Sequence, residues 1–314
     1  MPQLGITCPS CKGHKLDFIE HFAAYNIYRC QSCTLEFCNP MKAMSAREYE
    51  TAEGYDKLRL LGESNQDSVL WWGHRQFLSS AHRFLGKNPS PRLFDIGCGT
   101  GAFVNFAIKK GYDAYGVDFD SASVDVALRT TPLKERIFHC DTKDIQKAVG
   151  SIGKFDVVTF FEVLEHVDDI HSFMDQVRSL LTANGLIALY VPLANRWSLS
   201  YQEREPADYP PNHLTRWTEK ALRILMKESG FDVIKVYESP VSFGLYGLVS
   251  RTFGKRTSVA DTTVAAVAPG LSATGTVSKF FNSAVKVKQI FFMPILSAIG
   301  LKGDRVLLIA KKHH

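Results

Sequence analysis

The chain has 314 residues, of which 45% are hydrophobic and 22% charged, an ordinary globular composition that excludes wholesale disorder and collagen-like structure. Its net charge of +5 is mild and unevenly placed: residues 241–303 hold Arg251, Lys255, Arg256, Lys279, Lys286, Lys288 and Lys302 against Asp261 alone. The basic excess therefore belongs to one late segment and does not mark the whole chain as a nucleic-acid binder. The longest nearly apolar stretch, Ile290 to Leu301, contains Pro294 and falls short of the roughly 20 residues a spanning helix needs. Residues 1–20 lack a basic region followed by an apolar run. Together these features predict a soluble, cytoplasmic protein.

The chain opens on Cys8-x-x-Cys11 and, with 18 residues between, Cys30-x-x-Cys33. Two thiolates two residues apart can face one ion, and the intervening stretch is long enough for a hairpin, which the alternation through Tyr25-Asn26-Ile27-Tyr28-Arg29 suits. The spacing predicts a zinc ribbon over residues 1–42. Four thiolates fill a tetrahedral shell, so Zn²⁺ there would be structural. Cys38, Cys98 and Cys140 stand outside the set as small apolar side chains.

Residues 43–90 have helical composition, with Tyr49, Tyr55, Trp71, Trp72 and Phe77 among polar residues, and Gly62 and Gly73 predict interruptions. After Asn88-Pro89-Ser90-Pro91 the rhythm changes. Strand-like runs at Arg92–Ile96, Ala114–Val117, Ile137–Cys140, Phe155–Phe161, Leu186–Val191, Phe231–Tyr237 and Arg305–Ala310 alternate with helical stretches at Ala102–Lys110, Ser121–Arg129, His171–Leu181 and Thr218–Ser229. That alternation predicts an α/β fold, a doubly wound and mostly parallel sheet with helices on both faces. Asn184-Gly185 and Ser229-Gly230 read as helix stop signals.

The strongest chemical motif is Asp95-Ile96-Gly97-Cys98-Gly99-Thr100-Gly101-Ala102, a strand running into a glycine-rich turn and a helix. Gly97-x-Gly99-x-x-Ala102 also fits the dinucleotide fingerprint. Asp95 at the strand end opposes a pyrophosphate, however, and suits a ligand bearing an ammonium. Asp118 follows at the end of the next strand, 23 residues on, where an acid can accept hydrogen bonds from both ribose hydroxyls.

Asp95-x-Gly97-x-Gly99-x-Gly101 resembles motif I of the class I S-adenosylmethionine (SAM)-dependent methyltransferases. The likeness covers about residues 90–240 and the last strand. It implies a seven-stranded Rossmann-like sheet whose last strand is antiparallel, with Asp95 near the methionyl ammonium, Asp118 at the ribose and Asp141 near the adenine amino group. Phe161-Glu162-Val163-Leu164-Glu165-His166 is similar to the quinone-precursor O-methyltransferase branch. In that branch Phe161 and Glu162 would border the cofactor, and the positions of Glu162, Glu165 and His166 have been taken as a Mg²⁺ site. The alternative is that Glu165 and His166 cap a helix at the lip of the pocket. Tyr209-Pro210-Pro211-Asn212-His213-Leu214-Thr215-Arg216-Trp217-Thr218 resembles a segment of the same branch that lies over the substrate, before a helix capped by Thr215 or Thr218. His166 and His213 are the two candidate general bases.

These readings divide the chain into a zinc ribbon (1–42), a helical cap (43–90), a SAM-binding core (91–240), a basic and apolar helical insertion (241–303) and a last strand with its tail (304–314). The expected activity is methyl transfer from SAM to a small-molecule, glycan or lipid-linked acceptor, on oxygen. No Asn/Asp-Pro-Pro-aromatic run follows the fourth strand, which argues against methylation of base amino groups. A zinc ribbon also precedes this fold in a guanine-methylating rRNA family, but Lys12, Lys15 and Arg29 against Asp17 and Glu20 do not make the basic surface an RNA reader needs. A non-catalytic SAM-binding scaffold is the third alternative. Val277, Phe280, Phe281, Ala284, Val287 and Phe291 recur at helical spacing among lysines, so residues 277–292 can lie on an anionic membrane surface, pack over the active-site mouth or form a dimer interface.

Overall fold

A computed structural model describes residues 5–45, 48–49, 55–86, 88–132, 134–196, 199, 204–240 and 303–313. The chain divides into two compact units. The first, Met1–Ala194 with Pro206–Tyr237 and Val306–His314, carries the elements discussed below. The second, Asn195–Glu205 with Glu238–Arg305, lies mostly outside the described residues, as do the proposed insertion helix and its membrane-facing stretch 277–292. No helix among the described residues is long and apolar enough to cross a membrane.

The N-terminal cysteines form two knuckles of one design. Cys8 N donates to Gly13 O and Lys12 N to Cys8 O, and in parallel Cys30 N donates to Leu35 O and Thr34 N to Cys30 O. Lys12 (φ 57°) and Thr34 (φ 69°), each four residues after the first cysteine of its pair, adopt the same left-handed turn. Between the knuckles, β1 (Leu16–Phe22) and β2 (Tyr25–Cys30) make an antiparallel hairpin, and β3 (Glu36–Asn39) adds to β2.

The seven-stranded sheet is built from β4 (Arg92–Ile96), β5 (Asp113–Asp118), β6 (Ile137–His139), β7 (Phe155–Phe161) and β8 (Leu181–Pro192), with β10 (Phe231–Glu238) and β11 (Arg305–Lys312). A short β9 (Thr215–Arg216) belongs instead to the first sheet, where it pairs antiparallel with β3 through Glu36↔Arg216 and Phe37↔Thr215. The large sheet runs β10-β11-β8-β7-β4-β5-β6, so the last strand inserts between its two predecessors rather than at an edge. Its β4·β5, β4·β7, β5·β6 and β7·β8 ladders are parallel.

Helices cover both faces, which is why β4, β7 and β8 are near-continuous buried runs. Helices α1 (Tyr55–Ser64) and α2 (Trp72–Ser80) precede the sheet; α3 (Ala102–Lys109), α4 (Ser121–Thr130), α5 (Ile145–Val149), α6 (Ile170–Leu180) and α7 (Glu219–Glu228) lie between its strands. Alternate residues sort the faces. Leu93, Val157 and Phe161 pack with Phe77 of α2, Phe103 of α3 and Val124 of α4. Phe94, Val158 and Phe160 pack with Ile145, Phe173 and Leu222 from α5, α6 and α7. Thr218 caps α7, its hydroxyl accepting from Ala221 N at 3.1 Å, while Thr215 sits in β9.

Two expectations about glycines and one about a stop signal need correction. Gly62 and Gly73 do not interrupt helices but lie within α1 and α2. A Cβ on Gly62 would come within 2.4 Å of the Thr100 hydroxyl, and one on Gly73 within 2.6 Å of the Tyr190 ring. Both glycines are spent on close packing, which costs less than the steric clash. Asn184-Gly185 falls inside β8, where the β7 register slips between Phe155 and Val157 and the extra residues are absorbed.

Candidate active site

The glycine-rich turn joins β4 to α3. Gly97 N and Cys98 N both donate to Val117 O, at 2.8 and 3.0 Å, which bends the chain sharply out of the sheet. Gly97, Gly99 and Gly101 take φ of 76°, 51° and 73°, values that side chains rarely tolerate. A Cβ on Gly97 would also press within 2.4 Å of Val163.

Asp95 and Asp118 stand at the carboxyl ends of neighbouring parallel strands, the region where ligands bind in open α/β sheets. Asp95 accepts from Thr159 Oγ1 at 2.7 Å; Asp118 accepts from Gly99 N at 2.7 Å and from Asp120 N at 2.9 Å. Burial raises the Asp95 carboxyl to about 8, with the Asp118 charge adding to the effect against the Thr159 hydrogen bond. Burial likewise raises Asp118 to about 6, although its two backbone N–H donors pull it down.

Both groups are raised above the ordinary carboxylate range, so the ligand-free fold holds more protons than the unfolded chain from about pH 4 to pH 8 and loses stability as pH rises through that window. An ammonium docking beside Asp95 reverses this by favouring the ionised carboxylate. Binding of such a ligand at pH 7 is therefore expected to release protons, as calorimetry in two buffers of different ionisation enthalpy would report. Proton uptake would contradict the placement.

Asp95, Gly97, Gly99, Asp118, Phe161, Glu162, His166 and His213 line one cavity of about 270 Å³. Gly97, Asp118, Glu162 and His166 also border a neighbouring cavity of about 660 Å³, and Asp141 lines that second space. Gly101 lines neither cavity; it is the N-cap of α3. Glu162, just past β7, holds φ 56° with its N–H donating to Tyr190 O at 2.7 Å. Left-handed backbone at a non-glycine residue is a strained conformation that concentrates at ligand sites.

The two histidines come together although 47 positions separate them, their ring centroids 4.9 Å apart. His166 Nδ1–H donates to Asn212 O at 2.7 Å, which leaves Nε2 with the lone pair. Burial and the neighbouring His213 push the His166 pKa down to about 3, so the ring is neutral at ordinary pH. His213 Nδ1 lies 3.4 Å from an Asp208 carboxylate oxygen. Ligand atoms of Glu165, His166 and His213 fall within 4.8 Å of one another, and Glu162 is not part of that group. Two imidazoles and one carboxylate differ from the oxygen-rich octahedral set Mg²⁺ prefers, so this donor set does not fit the magnesium reading.

The four ribbon cysteines do fit zinc. Their sulfurs lie within 4.8 Å of one another, with Cys8–Cys33 at 3.4 Å and Cys11–Cys30 at 3.5 Å, and all four are free thiols. Sulfurs about 2.3 Å from one tetrahedral ion would stand roughly 3.8 Å apart.

Tyr49, Tyr55, Arg59 and His74 also line the smaller cavity, and none of them had been singled out from the sequence as a site residue. Arg59 Nη1 donates at 2.8 Å to Asp120, the N-cap of α4, so α1 is tied to the end of β5. Tyr55 OH donates to Asn212 Oδ1 at 2.8 Å. An amphipathic helix shows the same spacing of aromatics whether they fill a core or roof a pocket. Nothing in the sequence marks Arg59, because its burial and its pairing with Asp120 arise only from the fold.

The sheet order, the glycine turn and the two strand-end acids define the Rossmann-like fold of class I SAM-dependent methyltransferases. A profile of the methyltransferase domain matches residues 71–236, more than half of the chain, and the chain belongs to that family. Among curated relatives, the ubiquinone biosynthesis O-methyltransferase of Coxiella burnetii is 26% identical over 149 residues, covering 42% of this chain and 64% of that protein. The chain thus spans less than two thirds of that relative's length. Among solved structures, phosphoethanolamine N-methyltransferase 2 of Haemonchus contortus, in complex with SAM, is 15% identical with a TM-score of 0.53, covering 95% of this chain and 71% of that one. The [4+2]-cyclase SpnF is 14% identical with a TM-score of 0.50, covering 87% of this chain and 98% of that one. Both structural likenesses are of fold.

Proposed function

We propose that the protein is a SAM-dependent methyltransferase that methylates an oxygen of a small-molecule, glycan or lipid-linked acceptor. The observation that carries this reading is the joining of Asp95, Asp118 and two imidazoles on the wall of one cavity beside the glycine turn. SAM supplies an already reactive sulfonium methyl, so the protein's main work is to hold donor and acceptor in line. Asp95 would hold the ammonium and Asp118 the ribose hydroxyls, with Asp141 in the adjoining space at the adenine. Nε2 of His166 or His213 would take the acceptor hydroxyl's proton as the oxygen attacks. The curated O-methyltransferase relative supports oxygen as the acceptor atom. A structural Zn²⁺ on Cys8, Cys11, Cys30 and Cys33 belongs to the same reading.

Two experiments test it. Incubating extracts with the protein and methyl-labelled SAM, then following the label by mass spectrometry, identifies the acceptor; no labelled product in any extract goes against catalysis. Asp118→Ala is expected to weaken SAM binding by about 1–3 kcal/mol through loss of hydrogen bonds to a charged acceptor. NAD should bind neither form, and calorimetry finding NAD bound in place of SAM would restore the dinucleotide reading of the glycine turn.

A further inference from the structure

The loop that carries His213 is held from two sides. On the core side, Asn212 O accepts from His166 Nδ1 at 2.7 Å and Leu214 N donates to Glu165 O at 2.8 Å. On the ribbon side the holding is done by one guanidinium. Arg216, in β9, is only 7% exposed, and burying such a charge is costly unless it is paired. Its Nη1 donates to Glu20 of β1 at 3.1 Å and to Glu36 of β3 at 3.4 Å. Arg29 of β2 donates to the other oxygen of Glu36 at 2.6 Å, so the two ribbon acids are balanced by two arginines. That network accounts for docking the ribbon. It does not account for the remaining contacts of the same guanidinium, which reach into the loop. Arg216 Nε donates to Asp208 O at 3.2 Å, and the group lies over the Tyr209 ring at 4.6 Å.

Asp208 is the residue that faces His213. It is itself buried, and its Oδ1 lies 3.4 Å from His213 Nδ1. Arg216, Glu36 and His213 also line one crevice together with Pro210. A carboxylate beside Nδ1 favours the tautomer that keeps its proton there, which leaves the Nε2 lone pair for an acceptor hydroxyl. Arg216 holds the backbone carbonyl of that same aspartate, so the guanidinium sets where the carboxylate stands. We propose that Arg216 is a positioning residue for His213: anchored on the ribbon by Glu20 and Glu36, it holds Asp208 where its carboxylate orients the imidazole. The proposal rests on His213 serving as base in the reading above. It makes the ribbon a working part of the site, because a ring is only as well placed as the groups that support it.

The orientation of the ring can be read without any methyl acceptor. In full-length, zinc-loaded protein labelled with ¹⁵N-histidine, NMR of the ring nitrogens distinguishes the two neutral tautomers. The His213 signals are those lost in His213→Gln. The unaltered protein is expected to show His213 with its proton on Nδ1. Arg216→Lys keeps a cation between Glu20 and Glu36 but lacks the planar fork that also reaches Asp208. This variant should retain zinc and bind S-adenosylhomocysteine normally, while His213 becomes a mixture of tautomers. Asp208→Asn should give the same mixture. With the acceptor found by labelling, Arg216→Lys should lower kcat about 10- to 100-fold and add no further loss to His213→Gln. An unchanged His213 tautomer in either variant would overturn the proposal in favour of docking alone. Loss of zinc or of S-adenosylhomocysteine binding along with the tautomer would overturn it in favour of a general role in the fold. Mixed tautomers with normal turnover would instead remove His213 as the base, a failure of the reading above that leaves the positioning contact standing.

Discussion

His213→Gln is expected to lower turnover by about 10²–10⁴-fold while SAM affinity stays near that of the unaltered protein, and His166→Gln is the companion variant. The cause is geometric. His166 is held by the Asn212 carbonyl and His213 lies beside Asp208, and both line the cavity that the glycine turn also lines. Removing a base takes away proton transfer but leaves Asp95 and Asp118 in place, so the loss should fall on kcat rather than on cofactor binding. Burial that pushes His166 down to about 3 leaves its lone pair free but makes it a weak base, so the larger loss is expected at His213. Near-normal turnover in both single variants, measured with the acceptor found by labelling, would end the case for histidine base catalysis and leave positioning alone.

The second large effect concerns zinc. Protein purified without chelators is expected to carry one Zn²⁺ per chain, and Cys33→Ser should lose it. Structural zinc in small fingers is worth about 10–16 kcal/mol, so its loss should unfold the knuckles rather than loosen them. Cys8, Cys30 and Cys33 belong to the same buried cluster as Leu35, Phe37, Trp217 and Ala221, so a lower melting temperature should accompany the loss. Binding of S-adenosylhomocysteine should remain measurable, because Asp95 and Asp118 lie on β4 and β5, outside the ribbon. Metal analysis finding no zinc in the unaltered protein would refute the assignment.

Much of this arrangement was legible in the sequence because its signals are local. Asp95, the glycines and Asp118 each lie at the end of a buried strand, and strand runs bounded by turns survive single-sequence reading. Cys-x-x-Cys spacing is similarly local. Gly62 and Gly73 misled because a glycine used to let a helix approach Thr100 or Tyr190 has the same letter as one used to end it. The meeting of His166 with His213, the Arg59–Asp120 pair and the β3–β9 ladder depend on contacts between distant positions that no spacing rule encodes.

The β3–β9 ladder also constrains the order in which the protein can be made. Glu36 and Arg216 are 180 positions apart, yet Arg216 Nη1 reaches Glu36 at 3.4 Å and Glu20 at 3.1 Å, and its guanidinium lies 4.6 Å from the Tyr209 ring centroid. Phe22 stacks on that same Tyr209 ring at 4.2 Å, and Cys38 N donates to Leu214 O beside His213. The ribbon leaves the ribosome before the core, but its sheet can close only after the strands of the core through β8 have emerged. Pairing across so long an interval carries a high entropic cost until both partners are already folded. The knuckles are thus made before the core yet completed only after it. Their closure also fixes the loop that carries His213, so this stretch of the cavity wall is set only once ribbon and core have met.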